Sequence, residues 1–306
     1  MTRYLIARLG QAIVVVLGVL FVVFAILQLT GDPAALMLPP EATLEDIERL
    51  RTQMGFDRPL VVQFGRFLAG AVRGDFGRSL RYREQSALEV VLERIPATVE
   101  LTLATLAWSV PMAFVLGLVA ALRRATVGES TVMASALIGQ SMPSFWLGLM
   151  LILIFAVNLR LLPSSGRGTL AHLVLPALTL GAFFMARLTR LVRSGLLDVL
   201  GQDYIRTARA KGVGEWLVVV RHALKNAAIP IVTIVGLDIG TLLGGAVITE
   251  TVFAWPGVGR LAIDSISVRD FPVVQADVFF LALAFVAINL VVDLLYTWLD
   301  PRVRLA

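Results

Sequence analysis

Six apolar runs, each close to the length a helix needs to cross a bilayer, constrain this chain more than any other feature. A spanning helix takes about 20 predominantly apolar residues. Leu9 to Leu29 has Gln11 and Gln28 as its only strongly polar side chains, and Leu101 to Leu122 is uncharged, holding Pro111 and Gly117. Thr131 to Asn158 is also uncharged, and Pro143 within it predicts a kink. A weaker run covers about Leu170 to Ala186. Ala227 to Thr249 contains one charge, Asp238, and Val278 to Leu299 contains one, Asp293. These runs predict an all-α, polytopic membrane protein with about six transmembrane helices. The first run is expected to stay as a span: Arg3 and Arg8 mimic the basic start of a signal peptide, but the apolar stretch exceeds a usual signal core and no clean cleavage site ends it.

Composition excludes several functions. Only 16% of the 306 residues are charged, against about 25% for soluble domains. No cysteine occurs, so disulfides and thiolate metal sites are ruled out. The two histidines, His172 and His222, lie fifty residues apart, and no metal site is expected. The net charge of +5 is not read as nucleic-acid binding. Of the 27 basic residues 25 are arginine, and several edge the apolar runs.

Those arginines set the expected topology. Fourteen basic residues fall on one side: Arg3, Arg8, Arg123, Arg124, the cluster in 187–225, Arg302 and Arg304. The short loops opposite hold only Arg160, Arg167, Arg260 and Arg269. Positive residues favour the cytoplasm, so both termini are expected there. The expected division is a cytoplasmic N-terminus and first helix over 1–30, an outer-face segment over 31–97, and a five-helix core over 98–306 with a cytoplasmic loop at about 194–228. The outer segment has ten acidic and nine basic residues. It opens on the turn Gly31-Asp32-Pro33 and predicts a short helix over Leu44 to Met54 with Thr43 as its N-cap. A structural cap and a docking surface for an external protein both fit it.

Between the fourth and fifth runs lies the most informative stretch. Asp203 to Lys211 reads as a helix, Gly212 as its left-handed stop, and Glu215 to Asn226 as a second helix with Trp216, Leu217, Val220, Ala223 and Leu224 as its apolar members. The product is a helix-glycine-helix elbow. A protein groove and an anionic lipid surface are both possible seats for it.

Four passages carry a family resemblance. Tyr204-x-Arg206-Thr207-Ala208-Arg209-Ala210-Lys211-Gly212, continued by Arg221-His222-x-Leu224-x-Asn226 and Pro230, resembles the coupling loop of the dipeptide/oligopeptide branch of ABC-importer permeases. Gly74-Asp75-Phe76-Gly77-x-Ser79 with Arg94-x-Pro96-Ala97-Thr98 is similar to that branch's lead into the second span. Glu250-x-Val252-Phe253-x-Trp255-Pro256-Gly257-x-Gly259-Arg260-Leu261 and Arg269-Asp270-x-Pro272-x-x-Gln275 are similar to the segments after span five and before span six. The resemblance runs the length of the chain. Arg206 and Thr207 depart from the general Glu-Ala-Ala importer pattern in the way the peptide branch does.

The resemblance implies the type I importer fold and an inner bacterial membrane. It also implies a second homologous permease, two cytoplasmic ATPase subunits and an extracytoplasmic solute-binding protein as partners, with surrounding lipid. Asp203, Tyr204, Arg206, Thr207, Ala208, Arg209, Ala210, Lys211 and Gly212 would couple to the ATPase, which would hold ATP and Mg. This chain has no phosphate-binding G-x-x-x-x-G-K-[ST], and neither Lys211 nor Lys225 precedes Ser or Thr, so no cofactor and no enzymatic activity of its own are expected.

Gly236, Gly240 and Gly244 repeat every four residues and form a small-residue face suited to close helix packing. With Asp238 they are the expected pore or permease interface; a carboxylate in hydrocarbon faces a water path or a bonded neighbour, and both remain open. Asp293 and Asn289 share one face of the last run and suggest a structural pair. Trp255, Pro256, Gly257 and Arg260 are the expected contact with the binding protein, with a membrane-interface anchor as the other role for Trp255. His222 is expected to pack within its loop. Peptide is the expected cargo, with glutathione, nickel complexes and oligosaccharides handled elsewhere in the branch. An ion-coupled secondary transporter using Asp238 and Asp293 is the rival from another class, but no internal repeat supports it. A membrane-embedded enzyme lacks the residues.

Overall fold

Backbone amides have no partner in hydrocarbon, so an apolar run in a bilayer satisfies them within its own helix. Five of the six runs lie within one helix each, and the third is shared by two. The computed structural model describes residues 2–29, 34–35, 38, 42–82 and 84–299, and only the backbone of 2–7, 9, 27–29, 54, 228–230, 233, 237–238, 241, 243–245 and 293–299. The helices are α1 (Thr2–Leu29), α2 (Leu44–Met54), α3 (Leu60–Val72), α4 (Ala87–Leu122), α5 (Val127–Ser141), α6 (Ser144–Leu151), α7 (Leu170–Leu200), α8 (Asp203–Ala210), α9 (Glu215–Leu217), α10 (Leu224–Val252), α11 (Val258–Ser267) and α12 (Phe271–Leu299). π-helical turns extend α6 over Ile152–Asn158 and join α9 to α10 over Val218–Ala223. No strand occurs among the described residues, only an isolated bridge between Arg78 and Ser86.

Helices α4, α7 and the described part of α12 are each long and apolar enough to cross a membrane. The third run is divided rather than kinked. α5 ends at Ser141, α6 starts at Ser144, and the two are bent by 103°. Proline lacks the amide a helix needs and pushes its predecessor out of the helical region, and Met142 and Pro143 are both extended. α1 and α10 hold the remaining two runs.

The short α2 is fixed by its ends. The Thr43 hydroxyl accepts from the Asp46 amide at 3.3 Å, and the Asp46 carboxylate accepts from the Thr43 amide at 3.2 Å. Gly55, in the left-handed region at φ +72, closes the helix with its amide on the Arg51 and Thr52 carbonyls. The Thr43 hydroxyl and amide hold the Asp46 carboxyl below its ordinary range.

The chain forms two compact units. One combines residues 1–96 with 257–286, so the segment 31–97 is not a body by itself: Phe76, Val90 and Val91 share a core with Val258, Leu261, Val273 and Ala276. Phe24, Phe67, Phe76 and Phe279 form a chain of ring contacts, with centroids 5.3–6.3 Å apart. Ser79 donates to the buried Asp270 carboxylate at 2.5 Å, and the Arg81 amide donates to the same oxygen at 3.1 Å. The Gly74–Ser79 passage is thereby bonded to the Arg269–Pro272 passage.

The other unit combines 97–256 with 287–306. Its core follows one stripe of α7 at helical spacing, Phe184, Leu188, Val192 and Leu196, packed with Leu101, Ala113 and Ala121 of α4. Glycines set the approach of these two helices. A Cβ on Gly181 would lie 2.6 Å from the Trp108 ring, and one on Gly117 would lie 2.7 Å from Val192. Trp108 spends its indole N–H on the Ala177 carbonyl at 3.0 Å.

Candidate functional site

The elbow is built by a turn that only glycine makes cheaply. Gly212 has φ +76; its amide bonds the Arg209 carbonyl at 2.9 Å, and Val213 bonds Ala208 at 3.2 Å. The side chain of Arg209 then bridges the turn, donating to Glu215 through Nε at 3.0 Å and Nη2 at 2.6 Å. This two-bond fork holds the Glu215 carboxyl below its ordinary range and raises the Arg209 guanidinium. Tyr204 ties the far ends together, its hydroxyl accepting from Asn226 Nδ2 at 2.8 Å. Asn226 also donates to the His222 backbone carbonyl at 3.0 Å.

The elbow has two distinct faces. Ile205 and Ala208 are buried in the core of their unit, as are Val218 and Ala223. Asp203, Arg206, Thr207, Ala210 and Lys211 are exposed, and Tyr204 is 41% exposed. Sequence periodicity groups Trp216, Leu217 and Val220 with Ala223 and Leu224 on one apolar face. The structure separates them. The π-helical turn over Val218–Ala223 shifts the register, so Val218 and Val219 turn inward while Trp216, Leu217 and Val220 stay exposed, Trp216 by 69%. Regular 3.6-residue spacing could not anticipate this shift.

The Glu250–Leu261 passage behaves differently. Trp255 is fully buried, and its indole N–H donates to the Ala97 carbonyl at 2.8 Å. Neither a lipid anchor nor a docking contact is available to a side chain without exposed surface, and both roles for Trp255 are corrected to a packing role. Gly257 is buried as well, Pro256 is half-buried, and Arg260 lies 3.7 Å from Asp264 one turn along its own helix. Glu250, also fully buried, accepts from the Thr98 hydroxyl at 2.6 Å. Arg167 pairs with Glu100 at 2.6 Å and lies over the Trp255 ring at 6.0 Å. Residues 97–100, 166–167 and 250–255 thus form one knot. Its pairing of Thr98 with Glu250 and of Glu100 with Arg167 has no short-range sequence signature, because the partners are 152 and 67 residues apart.

On α10, a Cβ at Gly236 would meet Val292 of α12 at 2.5 Å. Gly236 therefore packs against its own chain, which corrects its assignment to a permease–permease contact. Gly240 is buried. Of Asp238, Gly244 and Asp293 only the helical backbone is described. No cluster of three or more potential metal ligands occurs among the described residues.

Known proteins resemble this chain along its length. Residues 113–305 match the family described as binding-protein-dependent transport system inner membrane component, and residues 1–102 match that system's N-terminal membrane component. The glutathione transport system permease protein GsiC of Escherichia coli K12 is 44% identical over 305 residues, covering 99% of each chain, and the proteins of the same name from Shigella dysenteriae and Salmonella paratyphi A are equally similar. Among solved structures, the inward-facing MetNI methionine ABC transporter matches with a TM-score of 0.59 at 19% identity, over 69% of this chain and 96% of the other. An amino acid ABC transporter matches at 0.51 and 15% identity, over 70% and 94%. At those identities the structural likeness speaks for the fold.

Proposed function

This chain belongs to the binding-protein-dependent inner membrane permease family of ABC importers, and from that membership we propose that it moves glutathione or a similar small peptide-like solute and is driven through its elbow by a separate ATPase. The importer permease role follows from the family itself. The cargo proposal rests on the glutathione transport named for relatives that share 44% of their residues with this chain over nearly its full length.

The single observation behind the coupling proposal is the exposed apolar set of Trp216, Leu217 and Val220 on a braced elbow. A chain ordinarily hides such residues, and a contiguous exposed set marks a contact surface. Two anchors in its own core, Ile205 and Val218, make the elbow a lever attached to the spans. A groove on a cytoplasmic ATPase closing on Trp216 would pull on α7 through Ile205 and on α10 through the π-helical turn. In this proposal both termini face the cytoplasm, ATP and Mg are held by two ATPase subunits, and a second homologous permease completes the path. A binding protein delivers cargo from outside, and no covalent chemistry falls to this chain.

Co-purification tests the elbow. Trp216→Asp places a charge on an exposed position, so the permease is expected to fold with a stability change within about 0.5 kcal/mol. ATPase recovery should fall at least about tenfold, a loss of about 1.4 kcal/mol of binding. Undiminished ATPase recovery with Trp216→Asp would remove the elbow from the coupling path.

A further inference from the structure

Helix α3 belongs to the segment between the first two apolar runs, and its ring contacts fix its depth along α1. Phe64 meets both Phe21 and Phe24 of α1 at 5.4 Å between centroids, and Phe67 meets Phe24 at 6.2 Å. Both α1 rings lie inside the apolar run that ends at Leu29. A helix rises about 1.5 Å per residue, which sets Phe24 about 8 Å and Phe21 about 12 Å along α1 from that end. The hydrocarbon core is about 30 Å thick, so the rings of α3 stand at the depth of acyl chains. All these residues belong to one unit.

The faces of α3 agree with that depth. One packs inward, with Phe67 and Ala71 in the core of the unit. A second is polar and spent on the chain itself: Gln63 Nε2 donates to the Phe56 and Arg58 carbonyls at 3.0 and 2.8 Å, and the Arg66 guanidinium lies against Gly55. The third is apolar. Val61, Leu68 and Val72 follow one another at helical spacing on the side away from Gln63 and Arg66. Val61 is 82% exposed and Val72 88%, so nothing in this chain covers the two ends of that stripe. Arg58 and Arg73 stand exposed just beyond the ends of the helix, where long basic side chains reach lipid headgroups. At 13 residues α3 is too short to span, since a crossing takes about 20.

We propose that α3 is seated in the bilayer leaflet at the far end of α1, with Val61, Leu68 and Val72 against acyl chains and Arg58 and Arg73 turned to headgroups. Amphipathic helices lie about 5–10 Å into the boundary between headgroups and acyl chains, which matches the depth of Phe24. The stripe also continues the character of α1 itself, where Val14, Val22 and Ile26 are 54–69% exposed. The segment between the first two spans is then in part a membrane wedge, not wholly an outer cap. This rests on α1 being a span, and the leaflet is the outer one because both termini are placed in the cytoplasm. A solute-binding protein is the competing cover, and it would have to reach below the membrane surface to meet this face.

The chain has no cysteine, so single cysteines report without background. Val61→Cys and Val72→Cys are compared with Val22→Cys on α1 and with Leu44→Cys, 84% exposed at the start of α2. Each is spin-labelled in the complete importer, with cysteine-free partner subunits, in liposomes of phosphatidylethanolamine and phosphatidylglycerol. Collisions are measured with oxygen, which concentrates in hydrocarbon, and with a water-soluble nickel chelate. Labels at positions 61 and 72 should behave as at 22, with strong oxygen and weak nickel collisions. Unlabelled, the same thiols should react with a membrane-impermeant maleimide on the order of tenfold more slowly than the thiol at 44, because the reactive thiolate is excluded from hydrocarbon. Nickel collisions as strong as at position 44 overturn the seat in lipid. Weak collisions with both reagents overturn it as well, since a protein then covers the face: the binding protein if its omission restores nickel access, the second permease if it does not. A label at position 22 that is open to nickel strikes the reading of α1 as a span, which separates that failure from a failure of α3 alone.

Discussion

Trp216 of the elbow keeps 69% of its surface open, while Trp255 of the knot keeps none. Both tryptophans lie in or beside passages that resemble the same family; Trp216 follows Gly212 and Gly214, and Trp255 precedes Pro256 and Gly257. The difference lies in what each neighbourhood leaves for the ring. At the knot, the Ala97 carbonyl takes the indole N–H, Arg167 covers a face, and Glu250 is satisfied by Thr98. At the elbow, the π-helical turn spends Val218 and Val219 on the core and leaves Trp216 and Leu217 outside. A motif therefore identifies a kind of backbone corner without saying whether its large residue holds the protein together or meets another one.

The comparison is broken most severely at the knot. Trp255→Ala should destabilise the permease by about 3–5 kcal/mol, as truncation of a large buried aromatic does, and thermal unfolding in detergent would register it. A loss no larger than that of a surface residue would overturn the packing role of Trp255. Thr98→Val should come next, at about 1.5–3 kcal/mol, because it removes a hydroxyl donor from a buried carboxylate; a Thr98→Ser variant, retaining the hydroxyl, should recover most of it.

Changes at the elbow should cost less stability and more coupling. Gly212→Ala forces a Cβ into a left-handed turn at φ +76, which costs about 1–2 kcal/mol; local hydrogen exchange over 209–215 should quicken while the spans stay protected. The Arg209–Glu215 fork gives the smallest effect, under about 1 kcal/mol, since both side chains are around half exposed. Its sign is set by Glu215. The folded carboxyl lies below its ordinary value of 4.5, so the stabilisation is complete above that pH and is lost as pH falls through the lower folded value. Elbow protection should thus decline only under acid conditions, and Glu215→Gln should make it pH-independent in that range.

Much of the fold was readable in one dimension. α1, α4, α7, α10 and α12 each contain one apolar run and extend beyond it, and the ends of α2 follow from Thr43, Asp46 and Gly55. The elbow's turn was equally legible, because Gly212 alone suits φ +76. The candidate contact surface was legible in part: its residues were named, but their facing was not. Trp255 and Gly236 were misplaced for a common reason. Each is covered by a segment remote in sequence, Ala97 for the first and Val292 for the second.

The sequence by itself determined that this chain is a stack of helices in a membrane and where its sharpest turns fall. A bilayer makes that so, because hydrocarbon forces each segment to satisfy its own amides, and the resulting apolar length is written locally. Tertiary structure alone decided which tryptophan is hidden and which acids are bonded. Those outcomes depend on side chains arriving from distant segments, and no local spacing specifies such meetings.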